Sequence, residues 1–441
     1  MYSAASKPRL LFVDGPGGPA PSWYLPRLAD EYQLQVLWTP SGNDPQDSER
    51  AALFGAHAHH VAMDGKTPVH VAILEQAKKW APDGILALSE RVVSGAHMAA
   101  DKLGLPCTPA NAADLLRSKY GQRLRMAQAG IATPRFRKIA NFRQLQEAVE
   151  YVAAPAVLKP MVGVGSAAVF PVDATTNLAQ LWGQAEKAYL TDPRGNRTTE
   201  FLLEERLLGQ RWHTDSRYGE QVSVESIIQA GHIRHLAVTD KLPLAKHFRE
   251  TADIMASSLP RDRLAELEAT TTAAITALGL DNCAVHTEFK LTADGPRVIE
   301  VNGRIGGGVA QMLHYAADYD AVRSLASVSV GRPLSDENPT FSKCAAYLTP
   351  QPPADDAWVS RRPEPEDLLA IEGIVSAEVL CASGERTDWQ RGTSALVAQI
   401  YAVADTPAEL LQLNERLNST EFFQYSAHDL TTMALSAAAS R

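Results

Sequence analysis

The sequence predicts an α/β fold in three parts: a parallel N-terminal layer, a central region of helices and antiparallel strands, and a small C-terminal α+β region. Over roughly the first hundred residues, strand-like apolar runs alternate with helical stretches, which is typical of a parallel sheet. Beyond that point, strand-like runs follow one another across short turns, as antiparallel strands do. A chain of 441 residues is too long for one core. We therefore predict two to four domains or subdomains, with changes of pattern near Asn111 and near residue 341.

The N-terminal elements are read from their apolar runs. A first strand, "RLLFVD", is followed by "GPGG" and a helix, and later strands are predicted at "HHVAM" and "DGILALS" around the helix "PVHVAILEQAKKWA". A glycine-rich turn after a first strand also suggests a dinucleotide site. The GxGxxG pattern is not matched, and Pro19 and Pro21 are expected to interrupt the helix start, so a redox dinucleotide enzyme ranks last.

The central elements follow in order. Helices are predicted over "NAADLLRSKYGQRLRMAQAG" and "FRQLQEAVEYVA", and two strands around a glycine loop in "APAVLKPMVGVGSAAVFPV". Strands are predicted in "TEFLLEERLLG" and in "GEQVSVESIIQAGHIRHLAVTDKLP", turned at Ala230-Gly231. A helix over 262–279, a hairpin and the helix "DYDAVRSLASVSVG" complete this region. The tail holds short strands and the helix "PAELLQLNERLN".

Composition excludes several classes of protein. Hydrophobic residues make up 45% and charged residues 21%, as in ordinary globular proteins. A net charge of −9 argues against nucleic-acid binding, which needs a basic surface. The apolar run Leu10 to Val13 is too short for a signal peptide or a membrane span, and the four cysteines form no CxxC pair. We expect a cytoplasmic protein without a membrane partner.

The hairpin "VHTEFKLTADGPRVIEVNGR" carries two opposed carboxylates. Each strand alternates apolar and polar residues, so each has one polar face. If the hairpin is symmetric about Asp294, Glu288 lies opposite Glu300 and His286 lies opposite Asn302. Like charges directly opposed across two strands are destabilising, and a hard divalent cation bound by carboxylate and amide oxygens removes the conflict. We predict a metal site at Glu288, Glu300 and Asn302. The alternative is a solvated strand face.

Arg304 and three glycines follow this hairpin. The Arg304 guanidinium could hold a carboxylate or phosphate in two hydrogen bonds, or could pair with Glu288. Residues 306–308 precede a helical segment, so their N–H groups could bind an anion; alternatively they form only a flexible turn.

Cations and a glycine loop upstream suggest phosphate binding. Lys159 ends the strand "PAVLK" and precedes Gly163, Gly165 and Ser166, whose N–H groups could surround phosphates. Lys119 is a second candidate, although a lone surface lysine is the ordinary explanation.

The strand "FLLEERLL" brings two further acids to the predicted nucleotide site. A carboxylate at Glu204 or Glu205 could bind ribose hydroxyls or the adenine amine, or could lie on an exposed edge.

Together these segments, in this order, resemble the ATP-grasp enzymes over nearly the whole chain. "SVESIIQAGHIRHLAVTDKLPLAKHFRETADIMAS" and "GLDNCAVHTEFKL" look most similar to the L-amino acid ligases of the bacilysin synthetase type. The resemblance implies a pre-ATP-grasp domain (1–112), a small lobe with a mobile glycine loop (113–197), a large lobe with the ATP and magnesium site (198–340) and a C-terminal region packed on that lobe (341–441).

The resemblance also implies a role for individual residues. The ATP-binding residues would be Lys119, Lys159, Gly163, Gly165, Ser166, Glu204, Glu205, Leu207 and Lys241. The magnesium ligands would be Glu288, Glu300 and Asn302. The catalytic residues would be Arg304, Lys159 and Gly307. The substrate-binding residues would be Glu90, Glu250, Asp253, His286, Arg304, Gly306 and Gly308.

Two positions depart from the bacilysin-type pattern. Asp253 stands where those enzymes have histidine, which puts the contact to the amino acid in doubt. Gly308 stands where they have tryptophan, and a residue without a side chain is expected to open the pocket for the acyl substrate.

The function implied by the resemblance is ATP- and Mg²⁺-dependent joining of a carboxylate to an amine through an acyl phosphate, with Mn²⁺ able to replace Mg²⁺. The substrates would be small molecules, and a homodimer would be in keeping with the family. One alternative is an ATP-grasp enzyme acting on bicarbonate, ranked lower because neither a biotinyl segment nor a second ATP-grasp copy is evident. Another is a non-catalytic nucleotide-binding protein, which would have little need for two metal carboxylates and an arginine.

Overall fold

The computed structural model describes residues 6–161, 163, 168–191, 200–335, 337–355 and 357–427. The N-terminal part is a four-stranded parallel sheet in the order β3-β2-β1-β4. Its elements are β1 (Arg9–Asp14), α1 (Pro21–Ala29), β2 (Gln33–Trp38), α2 (Asp44–His57), β3 (His59–Ala62), α3 (Val69–Trp80), β4 (Gly84–Ala87) and α4 (Glu90–Leu103). Strand β1 is buried on both faces because helices cover both.

The start of α1 corrects one expectation. Pro21 is the first residue of the helix, where its missing N–H would have no helical partner, so this proline favours the helix start instead of interrupting it.

The small lobe is an antiparallel four-stranded sheet in the order β5-β8-β6-β7. Its elements are α5 (Ala110–Leu115), α6 (Lys119–Gln128), β5 (Phe136–Ile139), α7 (Phe142–Val152), β6 (Ala156–Pro160), β7 (Phe170–Val172), α8 (Leu178–Thr191) and β8 (Phe201–Glu205). Strand β8 pairs inside this sheet, although the predicted boundary after residue 197 assigns it to the large lobe.

The helix predicted across 111–130 is divided in two. The Ser118 hydroxyl accepts a hydrogen bond from the N–H of Gly121 at 3.0 Å and so caps a new helix, α6, that begins at Lys119. The break places Lys119 at a helix start that faces the large lobe, where its ammonium pairs with Glu300.

An eight-stranded sheet forms the rest of the core, in the order β13-β12-β9-β10-β11-β14-β17-β16. The elements up to residue 330 are β9 (Gln221–Gln229), β10 (His232–Lys241), β11 (Ala252–Met255), α9 (Arg261–Leu278), β12 (Cys283–Thr292), β13 (Gly295–Asn302), α10 (Val309–Ala317) and α11 (Ala321–Ser329). The later elements are β14 (Cys344–Leu348), β15 (Trp358–Arg361), α12 (Pro365–Leu369), β16 (Ile374–Val379), a 3₁₀ segment (Trp389–Ala395), β17 (Ala398–Ala404), α13 (Pro407–Leu417) and β18 (Gln424–Ser426). Three C-terminal strands thus extend the sheet of the large lobe.

The strand register shows which side chains of this sheet share a face. Residues paired across neighbouring strands share a face. One row runs from Glu300 to Glu288, and another runs through Lys241, Asp253 and Tyr347. Both rows face the cavity described below. The opposite face of β9 and β12 is apolar and packs on α9. Among the described residues, no helix is both long and apolar enough to span a membrane.

Candidate active site

The carboxylate hairpin has the predicted pairing. Glu288 lies opposite Glu300, and His286 lies opposite Asn302. The geometry that produces this pairing differs from simple symmetry about Asp294, because the turn closes with Thr292 opposite Gly295 and the register then shifts by one residue.

The register shift is a β-bulge at Ile299. Pairing passes from Phe289 opposite Val298 to Glu288 opposite Glu300, which makes Ile299 the additional residue. Simple alternation places Ile299 on the apolar face, but in the structure it lines the cavity beside Glu300. Sequence reasoning missed this residue because a bulge leaves no mark in the alternation pattern.

Each of the two carboxylates already has a basic partner. Lys119 forms an ion pair with Glu300 and donates a hydrogen bond to the carbonyl of Gly163 at 3.2 Å. The Nε2 atom of His286 lies 3.3 Å from the Oε1 atom of Glu288. Burial by itself would raise the pKa of Glu288, but the hydrogen bond and charge of His286, with smaller contributions from other cations, hold that pKa well below its usual range. Glu288 is therefore an anion at neutral pH.

The donor set fits a magnesium ion shared with phosphates. Two anionic or hydrogen-bonded carboxylates from neighbouring strands reach the same cavity, and Mg²⁺ binds proteins through one or two carboxylates plus substrate phosphates. Within the described part of the chain, no group of three or more His, Cys, Asp or Glu residues is arranged to hold a metal on its own. Asn302 is buried, with 3% of its surface exposed, and lies opposite His286 in the hairpin.

A buried cluster of charged residues lies at the predicted nucleotide site. Lys159 pairs with Glu204, and the Nε atom of Arg123 lies 3.0 Å from the Oε2 atom of Glu204. Burial would raise the pKa of Glu204, but the charges of Arg123 and Lys159 lower it to about 2. Arg123 also donates a hydrogen bond to the bulge carbonyl of Ile299 at 2.7 Å.

This cluster changes the reading of Glu204. The sequence suggested that its carboxylate contacts ribose or adenine. In the structure the carboxylate pairs with Arg123 and Lys159, and so it orients the Lys159 side chain. Arg123 was missed because it lies within an ordinary helical pattern. Glu205, the residue after Glu204, is half exposed, lies on the cavity wall and pairs with Arg135 at 3.3 Å.

An acidic group with one central lysine lies on the other side of the cavity. The Lys241 ammonium is 2.6 Å from Glu250 and 3.1 Å from Asp253. Burial raises the pKa of Asp253 to about 6, and Glu250 adds to the rise while Lys241 opposes it. Lys241, predicted on the ATP side, thus lies among the residues predicted for the amino acid. Two carboxylates around one ammonium leave a net negative charge.

Arg304 connects the hairpin to the N-terminal domain. Its Nε atom lies 2.9 Å from the Oε2 atom of Glu90, at the start of α4, and not against Glu288 as one reading of the sequence proposed. Burial raises the pKa of Glu90, and the charge of Arg304 opposes that rise.

Glu225 holds two other residues of the site in place. Its carboxylate accepts a hydrogen bond from the N–H of Gly306 at 3.2 Å and lies 2.6 Å from the Nδ1 atom of His286. Burial would lower the pKa of His286, but Glu225 and Glu288 raise it to about 9. A glutamate inside the largely apolar run "VSVESII" was the signal available in the sequence.

The three glycines after Arg304 have different environments. Gly307 lines the cavity. A Cβ on Gly306 would lie 2.5 Å from the Nδ1 atom of His286, so that position requires glycine. Gly308 has φ +72° and lies against the ring of Tyr347, which fills the space beside it. The expectation that Gly308 leaves the pocket open is therefore wrong.

A single cavity of about 1140 Å³ brings most of the predicted residues together. Those on its wall are Lys119, Lys159, Gly163, Glu204, Glu205, Leu207, Lys241, Glu250, Asp253, His286, Glu288, Glu300, Arg304 and Gly307. Gly17 contributes from the loop after β1. Gly165 and Ser166 lie outside the described residues. The volume exceeds that of a typical site for one drug-sized ligand and can hold a nucleotide with a second small molecule.

Comparison with known proteins identifies the domain that holds this cavity. Residues 152–312 match the family model of the ATP-grasp domain. The chain is 26% identical over 262 residues to the alanine–anticapsin ligase of Bacillus subtilis (strain 168), covering 58% of this chain and 55% of that protein. It thus spans little more than half the length of this relative. It is also 27% identical over 384 residues to dapdiamide A synthase of Enterobacter agglomerans, covering 82% of this chain and 84% of that protein.

Solved structures share the fold. The crystal structure of L-amino acid ligase from Bacillus licheniformis superposes with a TM-score of 0.75 at 18% identity, covering 96% of this chain and 100% of that chain. N5-carboxyaminoimidazole synthetase from Staphylococcus aureus, complexed with ADP, superposes with a TM-score of 0.69 at 14% identity, covering 94% and 99%. The predicted fold class and the resemblance to ATP-grasp L-amino acid ligases are both confirmed.

Proposed function

We propose that this chain, which carries an ATP-grasp domain, is an ATP-dependent ligase that joins the carboxylate of an L-amino acid to an amine. The products would be a dipeptide or amide, ADP and phosphate, formed through an acyl phosphate. The observation that carries the proposal is the arrangement of one cavity: its wall holds Lys119 and Lys159 with the paired carboxylates of Glu288 and Glu300, the acidic group around Lys241, and Arg304. The relatives that are ligases support the same class of reaction.

On the phosphate side, Glu288 and Glu300, with Asn302 as a further candidate ligand, would hold Mg²⁺, which neutralises phosphate charge when bound. If Glu300 held the cation, the Lys119 ammonium, which now pairs with Glu300, would be available to phosphate oxygens. Lys159 supplies a second positive charge that Glu204 keeps oriented. Phosphoryl transfer asks mainly for such positioning and charge compensation.

The apolar part of the nucleotide would contact the lobe interface. Val157, Val169, Leu207 and Ile299 line the cavity near Lys159 and Glu204. These side chains offer a surface for a purine ring, and the Glu205–Leu207 segment at the mouth offers backbone groups for its edge.

On the substrate side, Arg304 would orient the reacting carboxylate and balance the charge that develops on its oxygens. Gly307 lies on the cavity wall, and its N–H would be a second donor toward the same oxygens. The acidic group at Glu250 and Asp253 would bind one substrate ammonium, because Lys241 neutralises only one of the two carboxylates. We also propose, from the resemblance alone, domain boundaries near residues 112 and 340, a homodimer and a cytoplasmic location.

The test is phosphate release from MgATP with pairs of L-amino acids, followed by the mass of the product. Release that requires both a carboxylate substrate and an amine, with an amide of matching mass, supports the ligase. Release with bicarbonate alone would point to the bicarbonate-dependent reaction instead. Nucleotide binding without release under every condition would point to a non-catalytic protein.

A further inference from the structure

The ring of Tyr347 takes the space that Gly308 leaves free. Gly308 has φ +72°, a conformation that side chains rarely adopt, and a Cβ built there would lie 2.6 Å from the Cγ and Cδ1 atoms of Tyr347. The ring is not part of the glycine loop: it comes from β14, a strand of the C-terminal region. Glycine at 308 is therefore what allows this ring to approach the backbone.

Neighbouring strands fix the ring. Tyr347 pairs with Tyr401 in the register of β14 and β17, and the two rings stack with centroids 4.9 Å apart. Tyr401 lies in turn 6.0 Å from the ring of Tyr315 on α10. Burial raises the pKa of the Tyr347 phenol well above its ordinary value, so the side chain stays neutral. An aromatic stack of this kind holds the ring in place without a charged partner.

The same ring borders the substrate side of the cavity. Tyr347 lies directly opposite Asp253 across β11 and β14, which brings their Cβ atoms within about 4.5–5.5 Å. It lines the cavity together with Arg304 and Gly307. An amino acid with its ammonium at the acidic group and its carboxylate at Arg304 would place its side chain next to this ring.

We propose that Tyr347 is a specificity-determining residue that restricts the acyl donor to L-amino acids with small side chains. This inference rests on the proposed function. Its basis is the ring's position between Asp253, Arg304 and the backbone of Gly308, where a tyrosine from another strand supplies the bulk that glycine lacks. The competing explanation is that Tyr347 only packs the loop at 306–308.

The test compares acyl donors in the Tyr347→Ala variant. With one amine fixed, kcat/KM is measured for L-alanine and for L-phenylalanine as acyl donor, and the amide is identified by mass. Tyr347→Ala is expected to raise the ratio of bulky to small donor by about tenfold or more, the size of discrimination that a few methylene groups produce in an apolar pocket. Tyr347→Phe keeps the ring and is expected to keep the wild-type ratio.

The outcomes separate the two explanations. A packing role predicts that Tyr347→Ala lowers kcat/KM for both donors equally and lowers the melting temperature, and that result would overturn the inference. If Tyr347→Ala does not fold, Tyr347→Leu, which keeps an apolar group over Gly308, is expected to shift the ratio in the same direction; an unchanged ratio there overturns the inference as well. If the wild type forms the amide and neither variant changes the ratio of bulky to small donor, the role of Tyr347 is rejected and the proposed function is not. Absence of amide and phosphate with every donor in the wild type rejects the proposed function, and this inference with it.

Discussion

Arg304 forms an ion pair with Glu90 and so lies at the contact with the N-terminal domain. Its guanidinium lies 2.9 Å from Glu90 of the N-terminal domain, and it closely follows β13, which carries two of the proposed metal ligands, so it stands where two domains meet the cavity. A carboxylate substrate entering beside it would compete with Glu90 for the same donor groups.

Arg304→Ala is predicted to reduce kcat for ligation by about 10²–10³-fold, because one lost donor to a developing oxyanion typically costs that much. Steady-state phosphate release measures it. Arg297→Ala, on β13, the strand before Arg304, and paired with Asp294 at 3.9 Å, is the control and should retain wild-type turnover. Wild-type turnover in Arg304→Ala, with an unchanged melting temperature, would remove Arg304 from the mechanism.

Asp253 gives the substrate side a dependence on pH. Its pKa is raised to about 6, so its negative charge is lost as the pH falls through that value. The KM for the amino acid whose ammonium binds there is predicted to rise below about pH 6 and to be constant above it. Asp253→Asn should have the higher KM at all pH values. A wild-type KM that does not change between pH 5 and 8 would show that Asp253 does not contact the ammonium.

Among individual residues, sequence reasoning predicted the polar residues that alternate along the hairpin strands and missed two buried charged residues. The polar positions of the hairpin follow from alternation along β12 and along the part of β13 that follows the bulge. Glu225 and Arg123 do not, since each is a buried charge whose partner lies far away in the chain, as His286 does from Glu225. Only the fold brings such pairs together.

The bulge on β13 places a proposed metal ligand, Glu300, next to the proposed nucleotide site. It allows Ile299 and Glu300 to face the cavity together, and its carbonyl is held by Arg123. An apolar side chain and a carboxylate at adjacent positions can then serve the base and the phosphates of one nucleotide.

Ile299→Ala is predicted to raise the KM for ATP about 5- to 20-fold with little change in kcat, because removing a partly buried apolar side chain from a binding surface costs roughly 1–2 kcal/mol. Initial rates at varied ATP measure this. Val375→Ala is the control, an exposed apolar side chain on β16. A large fall in kcat with unchanged KM would place Ile299 near the chemistry instead of the base.

The cluster of Lys159, Glu204 and Arg123 is predicted to stabilise the small lobe. Glu204→Gln leaves two buried cations without their anion and should lower the free energy of unfolding by roughly 3–5 kcal/mol. Since the folded pKa of Glu204 is depressed to about 2, its contribution is present above the ordinary value of 4.5 and is lost as the pH falls toward 2.

Urea unfolding at pH 7 measures this change. Glu205→Gln, which alters the half-exposed pair with Arg135, is the matched control and should cost less than about 1 kcal/mol. Equal losses in the two variants would contradict a stabilising role for the buried cluster.

For the whole molecule, the local pattern predicted the elements but not how the strands join. The N-terminal parallel sheet could be predicted because βαβ alternation leaves few arrangements. The addition of β14, β17 and β16 to the large sheet could not, since β11 pairs with β14 across about ninety intervening residues and nothing local marks that edge. Tyr347 reaches the cavity only through that pairing, which is why sequence reasoning about Gly308 went wrong.

Binding of MgATP between the lobes is predicted to stabilise the folded chain. At a concentration 100-fold above the dissociation constant the gain is about 2.7 kcal/mol, visible as a higher melting temperature. EDTA should remove most of the increase, and so should Glu300→Gln. The same increase with ATP and EDTA would contradict a metal held at the Glu288–Glu300 pair.

The central claim is that the carboxylate substrate is activated as an acyl phosphate beside Arg304, and the fate of a labelled carboxylate oxygen tests it most directly. An amino acid whose carboxylate carries heavy oxygen is incubated with MgATP, an amine and the protein, and the phosphate and the amide are analysed by mass. Activation by phosphoryl transfer predicts one labelled oxygen in the released phosphate and one in the amide. Label absent from the phosphate, or recovered in AMP, would contradict the account.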